Sequence, residues 1–179
     1  MIVLGVDPSS TSTGYGLIAQ EGRKYSFVAC GCIRTDGLPM ERRLVLLCDR
    51  LGEIIAEYGP DEAAIEDTFY GKDPRAAAKL NQARGALLVA LGRAGLPLGE
   101  YAPAEVKKAV VGNGQATKEQ VQGMMTRMLA LKELPRPLDA SDALGIALCH
   151  LHRVRRQPQI AARPRKPEIE ALLKRVSRR

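Results

Sequence analysis

The first fourteen residues, Met1-Ile-Val-Leu-Gly-Val-Asp7-Pro-Ser-Ser-Thr-Ser-Thr-Gly14, constrain the fold more than any other stretch. Five of the first six are apolar, with Gly5 the exception. A short apolar run closed by turn residues is the pattern of a strand buried on both faces. Such a strand has no solvent face for a carboxylate, which places Asp7 at or beyond its C-terminal end. Open α/β sheets gather their ligand sites there. Pro8 cannot donate to a sheet ladder, so pairing is expected to stop at Asp7. The hydroxyl run then supplies donors before Gly14 and Gly16 lead into a second apolar segment. Read alone, the stretch is a strand and a polar turn, with Asp7 serving the turn. Three further carboxylates change that reading.

The chain continues with strands over residues 15–20 and 25–35, joined by a hairpin turn at Glu21-Gly22-Arg23-Lys24. Tyr25, Phe27, Ala29 and Ile33 are expected on one face of the third strand. From residue 40 to 58 the period changes: Leu44, Leu47, Leu51, Ile54, Ile55 and Tyr58 form one helical stripe, which Gly59-Pro60 ends. Residues 61–66 form a short strand after this crossover helix, expected to lie parallel to the first. An Ala-rich helix over residues 74–93 follows, then a strand over 98–101 and a helix over 104–111. A further helix spans 117–131 and carries the capping-box pair Thr117 and Gln120. The last body helix spans 139–152. This order predicts an α/β protein with one mixed five-stranded sheet flanked by helices.

The length of 179 residues suits one domain with a full core. No segment approaches the ~18 consecutive apolar residues of a membrane span. The chain opens at once on a strand-like run, with no room for a signal peptide, so a cytoplasmic location is expected. Cys30, Cys32, Cys48 and Cys149 lack metal-ligand spacing and read as core or surface residues in a reducing compartment.

The formal net charge is +7, but its placement is uneven. Residues 153–179 hold ten basic and two acidic residues, so the body before them is nearly neutral. Within the body, residues 1–71 carry net −5 and residues 72–118 net +5. That asymmetry suits an acidic pocket beside a basic groove, or an ordinary mixed surface. Residues 1–153 are read as the domain and 154–179 as a basic, flexible tail. Pro158 and Pro164 mark its linker, and Ile169, Leu172, Leu173 and Val176 recur at helical spacing near its end.

Asp7 and Glu66 each close a predicted strand. If those strands are parallel neighbours, both side chains emerge at one sheet edge. Asp139 and Asp142 lie one helical turn apart at the start of a helix. They can point the same way, or act as N-cap and first-turn acid complementing the helix dipole. Four converging carboxylates repel one another and persist only around a cation. Oxygen-only ligands suit Mg²⁺ or Mn²⁺ rather than zinc. Two such ions about 4 Å apart activate a water and stabilise the leaving oxygen of a phosphodiester.

Over about residues 1–153 the chain resembles the RuvC family of crossover (Holliday) junction endodeoxyribonucleases. The resemblance is carried by Gly5-Val-Asp7-Pro, Gly14-Tyr-Gly16, Gly31-Cys-Ile-Arg-Thr35, Ala64-Ile-Glu66, Leu80-Asn-Gln-Ala-Arg-Gly85, Val106-Lys107, Val110-Val-Gly112 and Asp139-Ala-Ser-Asp-Ala-Leu144. It implies a ribonuclease-H-like fold, a homodimer, and Mg²⁺-dependent nicking of four-way DNA junctions in recombination and repair. It also implies work alongside the RuvA and RuvB branch-migration proteins. Asp7, Glu66, Asp139 and Asp142 match the four catalytic positions; some members have His at the position of Asp139. Ser9 departs from the Gly common there, and the basic tail lies outside the resemblance.

Phe69 and Tyr70 follow Glu66 and are candidates to stack on bases of an opened junction, or to anchor the loop. Lys72, Arg75, Lys79 and Arg84 recur along the loop and the Ala-rich helix. Lys107, Lys108 and Lys118 flank the Gly112-Asn113-Gly114 break. All seven are candidate phosphate contacts, which position DNA without reading sequence. Of these, Lys107 and Lys118 match basic positions of the family. Three other functions compete. An actin-like phosphotransferase needs two such domains, more than this length supplies. A non-catalytic junction-binding module would not need all four acids. Another ribonuclease-H-like nuclease is separable only by a substrate panel.

Overall fold

The computed structural model describes residues 1–67, 73–133 and 138–154, with Pro167, Glu170, Ala171 and Lys174 as separate exposed helical positions. Phe69, Tyr70, Lys72 and the rest of the tail lie outside the described residues.

The elements are β1 (Ile2–Asp7), β2 (Ser12–Glu21), β3 (Lys24–Arg34), α1 (Met40–Tyr58), β4 (Glu62–Glu66), α2 (Pro74–Arg93), β5 (Leu98–Tyr101), α3 (Pro103–Val111), α4 (Lys118–Met128) and α5 (Leu138–Val154). The sheet order is β3-β2-β1-β4-β5. β1, β2 and β3 form an antiparallel meander, while β4 pairs parallel to β1 and β5 parallel to β4. The expected mixed five-stranded sheet is therefore present, with β1 at its centre. Asp61 stands just outside β4; its N–H donates to Ile2 O at 2.8 Å and its carboxylate accepts the Ile2 N–H at 2.6 Å, tying the starts of β1 and β4 together.

Both faces of β1 are covered. Ile2, Leu4 and Val6 pack with Leu47 and Leu51 of α1 and with Leu87 and Leu91 of α2. Val3 faces the other way, onto Leu144, Ala147, Leu148 and Leu151 of α5. Each such fully buried aliphatic side chain contributes about 1.5–3 kcal/mol by leaving water. α1 ends at Gly59, whose left-handed φ of 55° lets its N–H reach Ile55 O.

Two expectations are corrected. β2 begins at Ser12 rather than residue 15. Thr13 is fully buried and its hydroxyl donates to Ser9 O at 2.7 Å, so the hydroxyl run closes its own loop and then joins the strand. The third strand does not keep one face. The β2–β3 register shifts where Leu17 meets Ala29 and Ile18 meets Phe27, leaving Val28 as an extra residue. Such a bulge reverses which residues face which layer. Tyr25 and Phe27 therefore pack on the α5 side, whereas Ala29 and Ile33 pack on the α1 side.

Candidate active site

Helix α5 lies directly on the sheet because three glycines leave it room. A Cβ at Gly5 would stand 2.0 Å from Ala143 O, at Gly14 2.1 Å from Asp139 O, and at Gly16 2.7 Å from Leu144 N. Side chains at these positions would lift the helix away. This close seating carries the first turns of α5 to the C-terminal ends of β1 and β4, where Asp7 and Glu66 emerge.

There a cleft of about 340 Å³ opens, lined by Asp7, Glu66, Asp142, Lys107 and Lys118, with Pro103, Val106, Val121, Gly145 and Ile146 as its apolar walls. Burial is the main cause that pushes the Asp7 carboxyl up to about 8. The charges of Glu66, Asp142 and Asp139 and a hydrogen bond with Glu66 push the same way. Burial also raises Glu66, while that hydrogen bond and the charges of Lys118 and Lys107 work the other way. The pair thus retains a proton near neutrality. Lys118 Nζ donates to Asp142 Oδ2 at 2.7 Å, and that bond raises the Lys118 pKa.

Asp139 does not line the cleft. Its Oδ2 accepts from Ser12 Oγ at 2.7 Å, and its charge is the smallest of those raising Asp7. Nor is Asp139 an N-cap, because α5 already begins at Leu138. Among the described residues, no three acidic, imidazole or thiol groups converge on a point where one ion would sit. Asp7 and Glu66 share a hydrogen bond, Asp142 is drawn to Lys118, and Asp139 to Ser12. The donor set nevertheless fits a hard divalent cation. It offers carboxylate oxygens alone, and their mutual repulsion, seen in Asp7, is the electrostatic demand that a cation relieves.

The other expected contacts divide. Lys107 and Lys118 reach the cleft; Arg75, Lys79 and Lys108 are exposed and do not line it. Arg84, expected at phosphate, is instead turned inward, with its side chain only 15% exposed. Its Nε donates to Glu66 O at 3.4 Å and its guanidinium pairs with Glu100 and Asp67, holding the end of β4. Ser12, which holds Asp139, gave no signal in the sequence. The Gly14-x-Gly16 alternation did: it leaves one strand face without side chains, as a helix seated on it requires.

An acidic cleft at the strand ends of this mixed sheet, roofed by a helix that brings its own carboxylate, defines a nuclease domain of the ribonuclease-H-like class. The family model described as Crossover junction endodeoxyribonuclease RuvC matches residues 3–150, and the chain belongs to that family. It is 50% identical over 151 residues to the crossover junction endodeoxyribonuclease RuvC of Shewanella sp. (strain MR-4), covering 84% of this chain and 87% of that one. To the protein of the same name from Pelotomaculum thermopropionicum it is 46% identical over 153 residues, covering 85% of this chain and 93% of that one. The solved structure of Thermus thermophilus RuvC in complex with Holliday junction substrate superposes with a TM-score of 0.83 at 37% identity. That match covers 87% of this chain and 96% of the other.

Proposed function

We propose that the protein is a metal-dependent endonuclease that resolves four-way DNA junctions by paired nicks during recombination and repair. The observation that carries this reading is the meeting of Asp7, Glu66 and Asp142 in one cleft with Lys107 and Lys118. Family membership supports it.

Asp7, Glu66, Asp139 and Asp142 are the carboxylates assigned to hold two Mg²⁺ ions, with Mn²⁺ as a substitute. When bound, such ions supply Lewis-acid stabilisation and a water activated for attack on phosphorus. The chain's own residues do the rest. To hold the ions, Asp7 would have to lose its proton and Asp142 its bond to Lys118, while Ser12 orients Asp139 through one oxygen. Lys107, and Lys118 once released from Asp142, would steer and hold the scissile phosphate. Lys72, Arg75, Lys79 and Lys108 add backbone contacts that position the junction. Phe69 and Tyr70 are proposed to stack on bases at its opened centre.

Two matched nicks on opposed strands call for two sites related by a two-fold axis, hence a homodimer. Ala83, Leu87, Ala90 and Leu91 of α2 are used in the protomer's own core. The proposed interface is therefore the outward flank of α2, with exposed Ala76 and Val89. No helix of the described residues is long and apolar enough to cross a membrane, and a cytoplasmic place beside RuvA and RuvB fits the reading. The test is incubation with a mobile four-way junction and Mg²⁺, followed by mapping of the nicks. Symmetrically paired nicks are expected. Equal cutting of an RNA–DNA hybrid would favour another nuclease of the fold, and a stable monomer that still resolves junctions would remove the dimer.

A further inference from the structure

The face of the sheet that carries the cleft also carries a second, largely buried polar cluster. His150, near the end of α5, is 5% exposed. Its Nε2 lies 2.7 Å from Glu62 Oε2 on β4, and its Nδ1 lies 2.8 Å from the Tyr101 hydroxyl on β5. With Nε2–H donating to the carboxylate, Nδ1 accepts the Tyr101 O–H, so both ring nitrogens are satisfied. Gly99 leaves space for the arrangement, since a Cβ there would stand 2.4 Å from His150 Nδ1. None of the three residues lines the cleft.

Glu62, Ala64 and Glu66 alternate onto one face of β4. Between the two acids, Ala64 packs with Tyr101, Val106, Ile146 and Cys149. Glu62 and Glu66 lie four residues apart, about 13 Å along a strand. Asp142 and His150 lie eight residues apart, about 12 Å along a helix. α5 runs against β4: His150 meets Glu62 at one end, and Asp142 joins Glu66 in the cleft at the other. Over β1 and β2 the helix rests on the backbone of Gly5, Gly14 and Gly16 and packs Leu144, Ala147, Leu148 and Leu151 on Val3 and Ile18. Apolar packing of this kind is non-directional and fixes the distance of the helix more firmly than its position along the strands. Directional hydrogen bonds resist sliding.

We propose that His150, held between Glu62 and Tyr101, is a positioning residue that sets the register of α5 along β4 and so places Asp142 beside Glu66. This rests on the reading of Asp142 and Glu66 as metal-holding carboxylates, and the test keeps the two apart.

The probe is Mn²⁺ alone, titrated into the full chain and followed by electron paramagnetic resonance of the free ion, with junction cleavage and binding measured alongside. Glu62→Ala and His150→Phe are expected to weaken Mn²⁺ binding about tenfold and to lower kcat, with junction affinity unchanged within about twofold. Glu62→Gln keeps an acceptor for Nε2–H and is expected to recover Mn²⁺ affinity to within about threefold of wild type. In an Asp142→Asn background, Glu62→Ala is expected to add no further loss, because the ligand it would misplace is gone. Equal Mn²⁺ affinity in wild type and Glu62→Ala, or losses that add in the Asp142→Asn background, would overturn the proposal. If His150→Phe does not fold, the two Glu62 variants decide. An Asp142→Asn protein that binds Mn²⁺ like wild type would instead remove the carboxylate reading itself, and the proposal with it.

Discussion

Lys118 Nζ stands 2.7 Å from Asp142 Oδ2, so an ammonium already neutralises part of the acidic cleft. A divalent cation brought to Asp142 must compete with it. Lys118 is exposed and sits on the first turn of α4, where its side chain is free to swing toward a phosphate. Lys118→Ala is therefore expected to tighten Mn²⁺ binding by about two- to fivefold, the scale of an exposed charge pair, while slowing junction cleavage. Titration of the ion and single-turnover rates check both halves. Unchanged ion affinity would mean that the pair is not a competitor.

Asp7 occupies the end of the central strand and is expected to be the least replaceable of the acids. Asp7→Asn keeps the shape of the cleft and removes a ligand charge. Junction binding is expected to persist while the cleavage rate falls by about 10³-fold or more. Cleavage near the wild-type rate in Mg²⁺ would exclude Asp7 from the site.

Asp7 also makes a pH prediction for the metal-free protein. Its pKa is raised from an ordinary carboxylate value to about 8. Between about pH 4 and 8 the folded state therefore holds a proton that the unfolded chain has lost. Stability should fall as pH rises through that window, by at most about 1.4 kcal/mol per pH unit for one proton. Asp7→Asn should flatten the slope and be more stable than wild type at pH 8. Saturating Mg²⁺ should flatten it too, by favouring the ionised form. Denaturant melts across the pH range measure all three, and a wild-type stability that rises from pH 5 to 8 would contradict the assignment.

Gly5→Ala places a methyl group against Ala143 O, at a backbone contact that cannot give way locally. It is expected to cost about 1–3 kcal/mol, the scale of overpacking. Cleavage should fall by more than the folded fraction does, because α5 and Asp142 move together. Gly22→Ala serves as a control: a Cβ there meets nothing, although its φ of 59° adds backbone strain. It should lose stability but keep the specific activity of the folded protein.

Deleting residues 154–179 removes the whole formal net charge of +7 and leaves a neutral body. Duplex binding is expected to weaken and its dependence on log salt to become shallower, while junction cleavage at low salt stays largely intact. Identical slopes would mean that the tail does not touch DNA. Loss of all cleavage would place the tail within the catalytic body.

Asp7 and Glu66 were legible because strand ends announce themselves: an apolar run stops, and a carboxylate cannot belong to its interior. Asp142 was legible through its spacing from Asp139, yet the two part company in the fold. Asp142 faces the cleft and Asp139 turns to Ser12. A hydroxyl on a distant strand leaves no periodic trace, so that split is invisible from the chain. The Val28 bulge was hidden for a related reason. A bulge depends on the partner strand, and alternation read along one strand continues through it unbroken. Arg84 shows the limit of charge counting. Its sequence setting is a basic helix face, but Glu66 O, Glu100 and Asp67 draw it inward. Leu87 and Leu91 of the Ala-rich helix α2 pack in the protomer's own interior, against partners that the helix's own sequence does not name.

The seating of α5 on Gly5, Gly14 and Gly16 has a consequence for the order in which the protein is made. Asp7 and Glu66 leave the ribosome early, on strands that can pair as soon as β4 has emerged. Asp142 is synthesised seventy-six residues after Glu66 and reaches the cleft only when α5 settles on its glycine bed. A nascent or prematurely terminated chain that stops short of residue 138 therefore carries Lys107 and Lys118 without the full set of acids. On the proposed assignment, such a fragment is expected to hold nucleic acid without cutting it.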